Sequence, residues 1–257
     1  MSMERRMDRL VIIPTYNEGE NIERMVRTVM ALDGGRFCLL VIDDGSPDGT
    51  GLIVKSLQEE FAERLFLVER SGKLGLGTAY IAGFKWALEH GYEFVFEMDA
   101  DFSHNPDDLM HLYKACLDGA DVAIGSRYIK GVNVVNWPMG RVLMSYFAST
   151  YVRMVTGMKV MDTTAGFKCY QANVLRAINF DKIRMTGYGF QIEMKFTAWK
   201  LGFKIEEVPI VFTDRKLGTS KMSGGIFGEA LWGVMRLKLK SLWTSYPKLH
   251  GQRAEAK

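Results

Sequence analysis

The residues best suited to chemistry in this chain are acidic and come in pairs. Asp99, Ala100 and Asp101 open the segment DADFSH, which follows the apolar run FVFEM. Two carboxylates one residue apart at a strand end can both reach one hard divalent cation, which takes oxygen ligands and is neutralised by them. Such a cation, Mg2+ or Mn2+, bridges diphosphate oxygens and stabilises the charge that develops as a leaving group departs. A second pair, Asp43 and Asp44, closes CLLVID and enters the turn Gly45-Ser46-Pro47-Asp48-Gly49. A carboxylate there can accept from N–H donors on a base or from ribose hydroxyls, whereas Asp48 reads as a turn or capping residue of the following helix. PTYNE, Pro14 to Glu18, ends the first apolar run. Tyr16 is placed to cover a base and Glu18 to bond a ribose; alternatively Asn17 caps the next helix and Glu18 complements its dipole.

These residues need elements that bring them together. Strands are expected at Leu10–Pro14, Phe37–Asp43, Leu65–Glu69, Phe94–Asp99 and Asp121–Gly125, and helices near Glu18–Leu32, Gly49–Ala62, Gly75–His90 and Pro106–Cys116. Strands that read as continuous apolar runs, such as LVIIP and CLLVID, belong to a parallel sheet covered on both faces. That is an α/β nucleotide-binding architecture, whose ligands gather at the carboxyl ends of the strands. PTYNE, DDGSPDGT, DADFSH and GSRY all fall at such ends.

After Gly125 the pattern changes. Arg141–Thr156 reads as a helix with a broad apolar face (Leu143, Tyr146, Phe147, Tyr151, Met154) and a narrow polar strip at i, i+4 spacing: Arg141, Ser145, Ser149 and Arg153. Ile226–Trp243 repeats the plan, with Phe227, Leu231, Trp232, Met235, Leu239, Leu242 and Trp243 set against Arg236, Lys238 and Lys240. Helices of this kind suit a membrane interface, the alternative being packing on the sheet or a dimer contact.

The composition agrees with an α/β chain of 257 residues: 47% hydrophobic and 25% charged. Its net charge of +3 is uneven, because from Phe212 onward nine basic residues face three acidic ones and the remainder is slightly acidic. A basic tail argues for an anionic partner, a phosphate group or a lipid surface. Nucleic acid is not expected, since the aromatics beside these charges are spaced as an apolar helix face rather than a stacking platform. Cys38, Cys116 and Cys169 are far apart, without zinc spacing, and read as reduced core thiols. The first residues lack the apolar stretch of a signal peptide, and no apolar run approaches the ~20 residues of a membrane span.

PTYNExEN, IDDGSPDGT, KLGLGTAY, DADxSH, GSRY, TTAGFKCY, GFQIEM and EVPIxFxDRxxGxSK follow one another in this order. The set resembles the dolichol-phosphate (polyprenol-phosphate) mannose synthases of glycosyltransferase family 2, from about Leu10 to Trp243. PTYNE and the DxD are shared across the wider family, while the SPDGT turn and the DRxxGxSK end are more specific to the polyprenyl-phosphate branch. The resemblance implies one GT-A domain, an α/β fold with a mostly parallel sheet and helices on both faces, plus the amphipathic interface helices near 141–156 and 226–243. It implies that Pro14, Tyr16, Glu18, Ile42 and Asp44 line a nucleoside pocket. Asp99, Ala100 and Asp101 would hold metal and diphosphate, with Asp99 and Asp101 as the metal ligands. Arg127, Arg215 and Lys221 would surround the phosphates, and Arg127, Arg141 and Ser145 would grip the acceptor phosphate. Asp101, Arg127 and Arg215 are then the catalytic residues. Ser103 stands where some relatives have a glutamine metal ligand.

The expected reaction is mannose transfer from GDP-mannose to dolichyl or polyprenyl phosphate. A phosphate monoester is already anionic, so the reaction needs no strong general base, and His104 reads as structural. Catalysis would be alignment plus neutralisation, and a single displacement gives inversion, a β-linked product from an α-linked donor. The enzyme would sit peripherally on the cytoplasmic face of a membrane, with room for a membrane-anchoring subunit. The rivals are a UDP-glucose enzyme acting on polyprenyl phosphate, a family 2 transferase acting on a soluble glycan, and a non-enzymatic protein that binds anionic lipid.

Overall fold

The computed structural model describes residues 7–185, 187–214 and 225–248; of Tyr188 and residues 225–230 only the backbone is described. Five strands lie where the apolar runs place them: β1 (Arg9–Thr15), β2 (Phe37–Asp43), β3 (Leu65–Glu69), β4 (Phe94–Glu97) and β5 (Val122–Ser126). The intervening helices are α1 (Ile22–Ala31), α2 (Thr50–Glu60), α3 (Leu76–Glu89) and α4 (Asp108–Leu117). There follow β6 (Val134–Val135), α5 (Met139–Thr156), β7 (Lys168–Gln171), α6 (Ala172–Ala177), α7 (Tyr188–Lys200), β8 (Ile205–Pro209), β9 (Phe212–Thr213) and α8 (Gly225–Trp243).

The main sheet has seven strands in the order β3-β2-β1-β4-β7-β5-β8, and β6 pairs with β9 in a small separate sheet. β1 runs parallel to both β2 and β4, and β2 parallel to β3. β7 runs antiparallel between β4 and β5, while β5 and β8 are parallel. All strands except β7 therefore end on the same edge of the sheet.

Alternation in the strands feeds two cores. Val11 and Ile13 pack with α1, α2 and α4 (Met25, Val26, Val54, Leu109, Leu112). Leu10 and Ile12 pack with α3, α6 and α7 (Tyr80, Phe84, Leu175, Phe190, Met194). Strands buried on both faces in this way must be apolar at every position, which is why the runs were legible. β7 and β8 carry no such signature. β7 is KCYQ, with a fully buried Lys168, and β8 is the half-exposed edge strand IEEVP.

The two amphipathic helices form as expected and lie side by side. A third cluster of Val152, Met158, Ile192, Phe196, Val234 and Leu237 joins α5 and α8 to α7. The Tyr151 hydroxyl donates to the Leu231 carbonyl at 3.0 Å. Each helix packs one side on the body and leaves its broad apolar side bare. Phe147 (62%), Met154 (74%), Trp232 (74%) and Trp243 (82%) are all exposed. Lys238 departs from its expected place among the outward charges, since its Nζ donates to the Thr156 carbonyl at 3.2 Å. The reason is electrostatic: the last carbonyls of α5 lack helical partners and attract a cation. Among the described residues no helix is long and apolar enough to cross a membrane, and all three cysteines are free and buried.

α3 approaches β1 closely because Gly83 has no side chain. A Cβ there would lie 2.7 Å from Cγ2 of Ile12. Overpacking of this kind costs about 1–3 kcal/mol. Gly83→Ala should lower the urea midpoint by the corresponding amount with an unchanged m-value, as followed by circular dichroism.

Candidate active site

β2 and β4 lie on opposite sides of β1, so the strand order reverses at the carboxyl end of β1, the place where α/β sheets open a crevice for ligands. PTYNE ends β1, and DADFSH follows its neighbour β4. The two acidic segments and Arg127 after β5 share this edge because the strands that carry them are parallel to one another.

In the DAD segment, Asp101 is buried and its Oδ1 accepts from the Ser103 N–H at 3.0 Å, whereas the Asp99 side chain is 45% exposed. Phe102 has a φ of 57°, a left-handed backbone unusual for a bulky residue and of the kind that collects at functional loops. Its ring carries the Arg24 guanidinium at 4.5 Å, which ties the loop to α1. Two carboxylates fit a hard divalent cation. Among the described residues there is no cluster of three acidic, histidine or cysteine side chains, so further ligands would be water and ligand oxygens. His104 is buried, stacked on Phe167 at 4.9 Å and edge-on to Phe212 at 5.2 Å. Burial lowers its pKa to about 4, opposed by Asp101, so it is neutral at neutral pH and serves packing.

At the end of β2, the paired aspartates have different partners. Asp43 accepts from the Thr15 hydroxyl at 2.8 Å and from the Ser46 N–H at 2.9 Å, and so shapes the turn. Asp44 is held by Arg70, whose Nε donates to Oδ1 at 2.6 Å. Arg70 also reaches the Thr78 hydroxyl at 2.8 Å, binding the glycine-rich segment to the pocket. Asp48 is the turn residue it was read to be: it accepts from the N–H groups of Gly19 and Thr50 at 2.8 and 3.1 Å. Burial works against its charge, but those bonds and the Thr50 hydroxyl hold its pKa below the usual range.

Tyr16 is half-buried with the Lys73 ammonium 5.1 Å from its ring centre. The Glu18 carboxylate accepts from the Asn21 amide at 3.0 Å. Asn17 does not cap α1: its φ is 57°, its N–H donates to the Ser46 hydroxyl at 3.0 Å, and Asn21 precedes the helix. Pro14 is half-buried beside Ile42, whose own side chain is fully buried on the α3 side of the core, and Ala100 is buried on the other.

Arg127 is no surface ion pair. Its side chain is 10% exposed, and its Nε and Nη2 donate to the two oxygens of fully buried Asp162, each at 2.7 Å. The Arg127 N–H binds Asp162 as well, at 3.0 Å. Burial penalises the Asp162 charge, but Arg127 outweighs it and keeps the carboxyl below the ordinary carboxylate range. Glu207 on β8 accepts the N–H groups of Met161 and Asp162 at 2.7 and 2.9 Å and so fixes the loop. Tyr128, Trp137 and Phe212 surround the Arg127 guanidinium, with ring centres 5.3 to 5.6 Å away. Next to this cage Arg141 stacks on Trp137 at 4.2 Å and pairs with Asp214 at 2.9 Å. Ser145 follows one turn on and is half-buried, but Ser149 is buried and Arg153 turns to Met161 and Thr150, so only the first half of the polar strip looks outward. Arg215 and Lys221 lie outside the described residues.

Asp162, Arg70 and Trp137 were not singled out in the sequence. Each stands beside a segment that was: Asp162 before TTAGF, Arg70 before the glycine-rich run, Trp137 ahead of the Arg141 helix.

Residues 10–179 match the family model for glycosyl transferase family 2. The chain belongs to that family. It is 46% identical over 230 residues to the polyprenol monophosphomannose synthase of Mycolicibacterium smegmatis, covering 88% of this chain and 86% of the relative. With the undecaprenyl-phosphate mannosyltransferase of Micrococcus luteus the identity is 47%, covering 91% and 95%. The dolichol-phosphate mannosyltransferase of Pyrococcus furiosus is 36% identical over 88% of this chain and 62% of its own length. Among solved structures, the glucosyl-3-phosphoglycerate synthase of Mycobacterium tuberculosis, in complex with Mn2+, UDP-glucose and phosphoglyceric acid, superposes with a TM-score of 0.65. That match has 18% identity and covers 92% of this chain and 80% of the neighbour, a likeness of fold.

The pairing at Asp162 yields a prediction for this family 2 chain. Asp162→Asn leaves the Arg127 charge buried without its counter-ion, a loss of about 3–5 kcal/mol for a buried pair. The unfolding midpoint should drop steeply, whereas Asp214→Asn, at a half-exposed pair, should change it by at most about 1 kcal/mol. Equal losses in thermal denaturation would overturn this ordering.

Proposed function

We propose that this chain transfers mannose from GDP-mannose to a polyprenyl phosphate, with inversion, on the cytoplasmic face of a membrane. What carries the reading is one juxtaposition: the Asp99/Asp101 pair and the Arg127 and Arg141 cations share an edge of the sheet with the start of α5, whose apolar side is bare. The names of the relatives at 46–47% identity, all but spanning both chains, support mannose and a polyprenyl phosphate.

Asp99 and Asp101 would hold Mg2+ or Mn2+, which when bound neutralises diphosphate oxygens as the nucleoside diphosphate leaves. The neighbour crystallised with Mn2+ has the same fold and supports this choice. Tyr16, Glu18 and Asp44 would seat the nucleoside. Asp44, fixed in place by Arg70, can accept from both N1–H and the amino group of guanine, whereas uracil offers one such donor; this favours GDP over UDP. Arg127, with Arg215 and Lys221, would orient the phosphates, and Arg141 and Ser145 would receive the phosphate of the lipid. Because that phosphate arrives ionised, the residues need only align it in line with the anomeric carbon and exclude water. Neutral, buried His104 takes no part.

The apolar sides of α5 and α8 would enter the membrane interface, with Arg236 and Lys240 toward anionic head groups. Each such charge is worth on the order of 1 kcal/mol, and each buried Leu or Trp roughly 1.5–3 kcal/mol. That suffices for reversible attachment and leaves room for an anchoring subunit.

Product assays test the reading. Wild type with Mn2+, GDP-mannose and polyprenyl phosphate should form a β-mannosyl lipid. EDTA, or Asp101→Ala in a folded enzyme, should reduce the rate by at least about a hundredfold. Faster transfer from UDP-glucose, or an Asp101→Ala enzyme near wild-type turnover, would sink it. In liposome flotation, binding should rise with anionic lipid and fall with salt. Arg236→Gln/Lys240→Gln should weaken it, Trp232→Ser/Trp243→Ser should weaken it further, and Lys238→Gln should cost stability instead. If the double tryptophan variant floats like wild type, the apolar side serves protein contact.

A further inference from the structure

Trp137 lies beside both Arg127 and Arg141, and its indole donor has no partner among the described residues. The Arg141 guanidinium lies 4.2 Å from its ring centre, that of Arg127 5.5 Å, and Phe212 meets it edge-on at 5.1 Å. Its Nε1 is buried and has no hydrogen-bond partner among the described residues. A buried donor left unpaired costs about 1–3 kcal/mol, and tryptophan N–H groups in folded chains ordinarily find an acceptor. A phenylalanine would supply an aromatic face there without that cost. The indole therefore points to an acceptor that arrives from outside, and its company says which kind. Two guanidiniums over one ring favour an anion nearby, and an indole N–H beside them can supply a directed bond. Trp137 also precedes Pro138, from which α5 starts without a side-chain cap, so the electropositive end of that helix adds to the field.

We infer that Trp137 is an acceptor-binding residue whose indole Nε1–H donates to a phosphate oxygen of the polyprenyl phosphate. The inference rests on the functional reading above and adds to it a further donor to the lipid phosphate. The acceptor is chosen over the donor's diphosphate because Trp137 lies nearer to Arg141 than to Arg127, at the start of the helix whose apolar side is exposed.

Trp137→Phe keeps an aromatic ring beside the guanidiniums but removes the N–H with the rest of the fused indole, while Trp137→Ala removes the ring altogether. With the full chain, Trp137→Phe should raise the KM for polyprenyl phosphate about tenfold to a hundredfold, as loss of a bond to a charged group does. Its kcat, unfolding midpoint and calorimetric affinity for GDP should stay near wild type. A KM within twofold of wild type would overturn the inference. A second readout does not depend on turnover. In protein carrying 15N-labelled tryptophan, the indole resonance missing from Trp137→Phe should move downfield on adding farnesyl phosphate, and should not respond to farnesol or to GDP alone. A resonance unmoved by farnesyl phosphate, or moved only by GDP, overturns the assignment. If the wild type mannosylates no polyprenyl phosphate while the resonance still answers to farnesyl phosphate, the functional reading falls and the phosphate site stands.

Discussion

The molecule depends on a seam in its sheet. β7 runs backwards between β4 and β5, and without it the half built from β1 to β4 and the half carrying Arg127 would be separate sheets. Charge is sealed into that seam. Glu97, the last residue of β4, meets the Lys168 ammonium of β7 at 3.1 Å, both fully buried. Gln191 of α7 donates to the other Glu97 oxygen at 2.6 Å and accepts from Lys168. Burial lowers the Lys168 pKa against the pull of Glu97, and lowers that of neighbouring Lys195 further; the Lys195 ammonium donates to the Ala165 carbonyl at 2.6 Å. A buried pair of this sort stabilises little in net terms, but removing either member leaves a bare charge in the core. Its effect is geometric: it sets the end of β4, two residues before Asp99, against the strand and helix that carry the second half.

From that seam the site follows as a problem in electrostatics. One edge of the sheet collects Asp43, Asp44, Asp99 and Asp101, which would repel any diphosphate. The fold answers by giving most of these carboxylates fixed donors. Asp43 faces a turn, Asp44 faces Arg70, and Asp101 faces a backbone N–H, while Asp99 is left the most open to solvent. Across the crevice the pattern inverts, with cations held by acids: Arg127 by Asp162, Arg141 by Asp214. Acidic and basic sides of the crevice each arrive pre-oriented.

α5 and α8 share one small cluster with α7 and leave the rest of their apolar surface bare. The Lys238 bond to the end of α5 and the Tyr151 bond to α8 lock the pair into one platform. The platform starts at Arg141, so the polar mouth and the apolar surface belong to the same helix.

What the sequence alone determined was whatever repeats locally or is written in contiguous residues. The five parallel strands, their helices and the two amphipathic helices follow from hydrophobic periodicity, because a strand or helix buried on a known side must show its period. The acidic pairs were visible because the two carboxylates of each sit within one strand end. Only the tertiary structure decided partners. That Asp44 belongs to Arg70, Arg127 to Asp162 and Lys168 to Glu97 could not be read, since those residues are 26, 35 and 71 positions apart and no local rule links them. The same holds for β7, where a lysine sits in the core only because a distant glutamate waits there. It holds for Lys238 too, drawn inward by the carbonyls of another helix. Local order is set by short-range sterics and burial, whereas the pairing of charges is set by where the chain returns to itself.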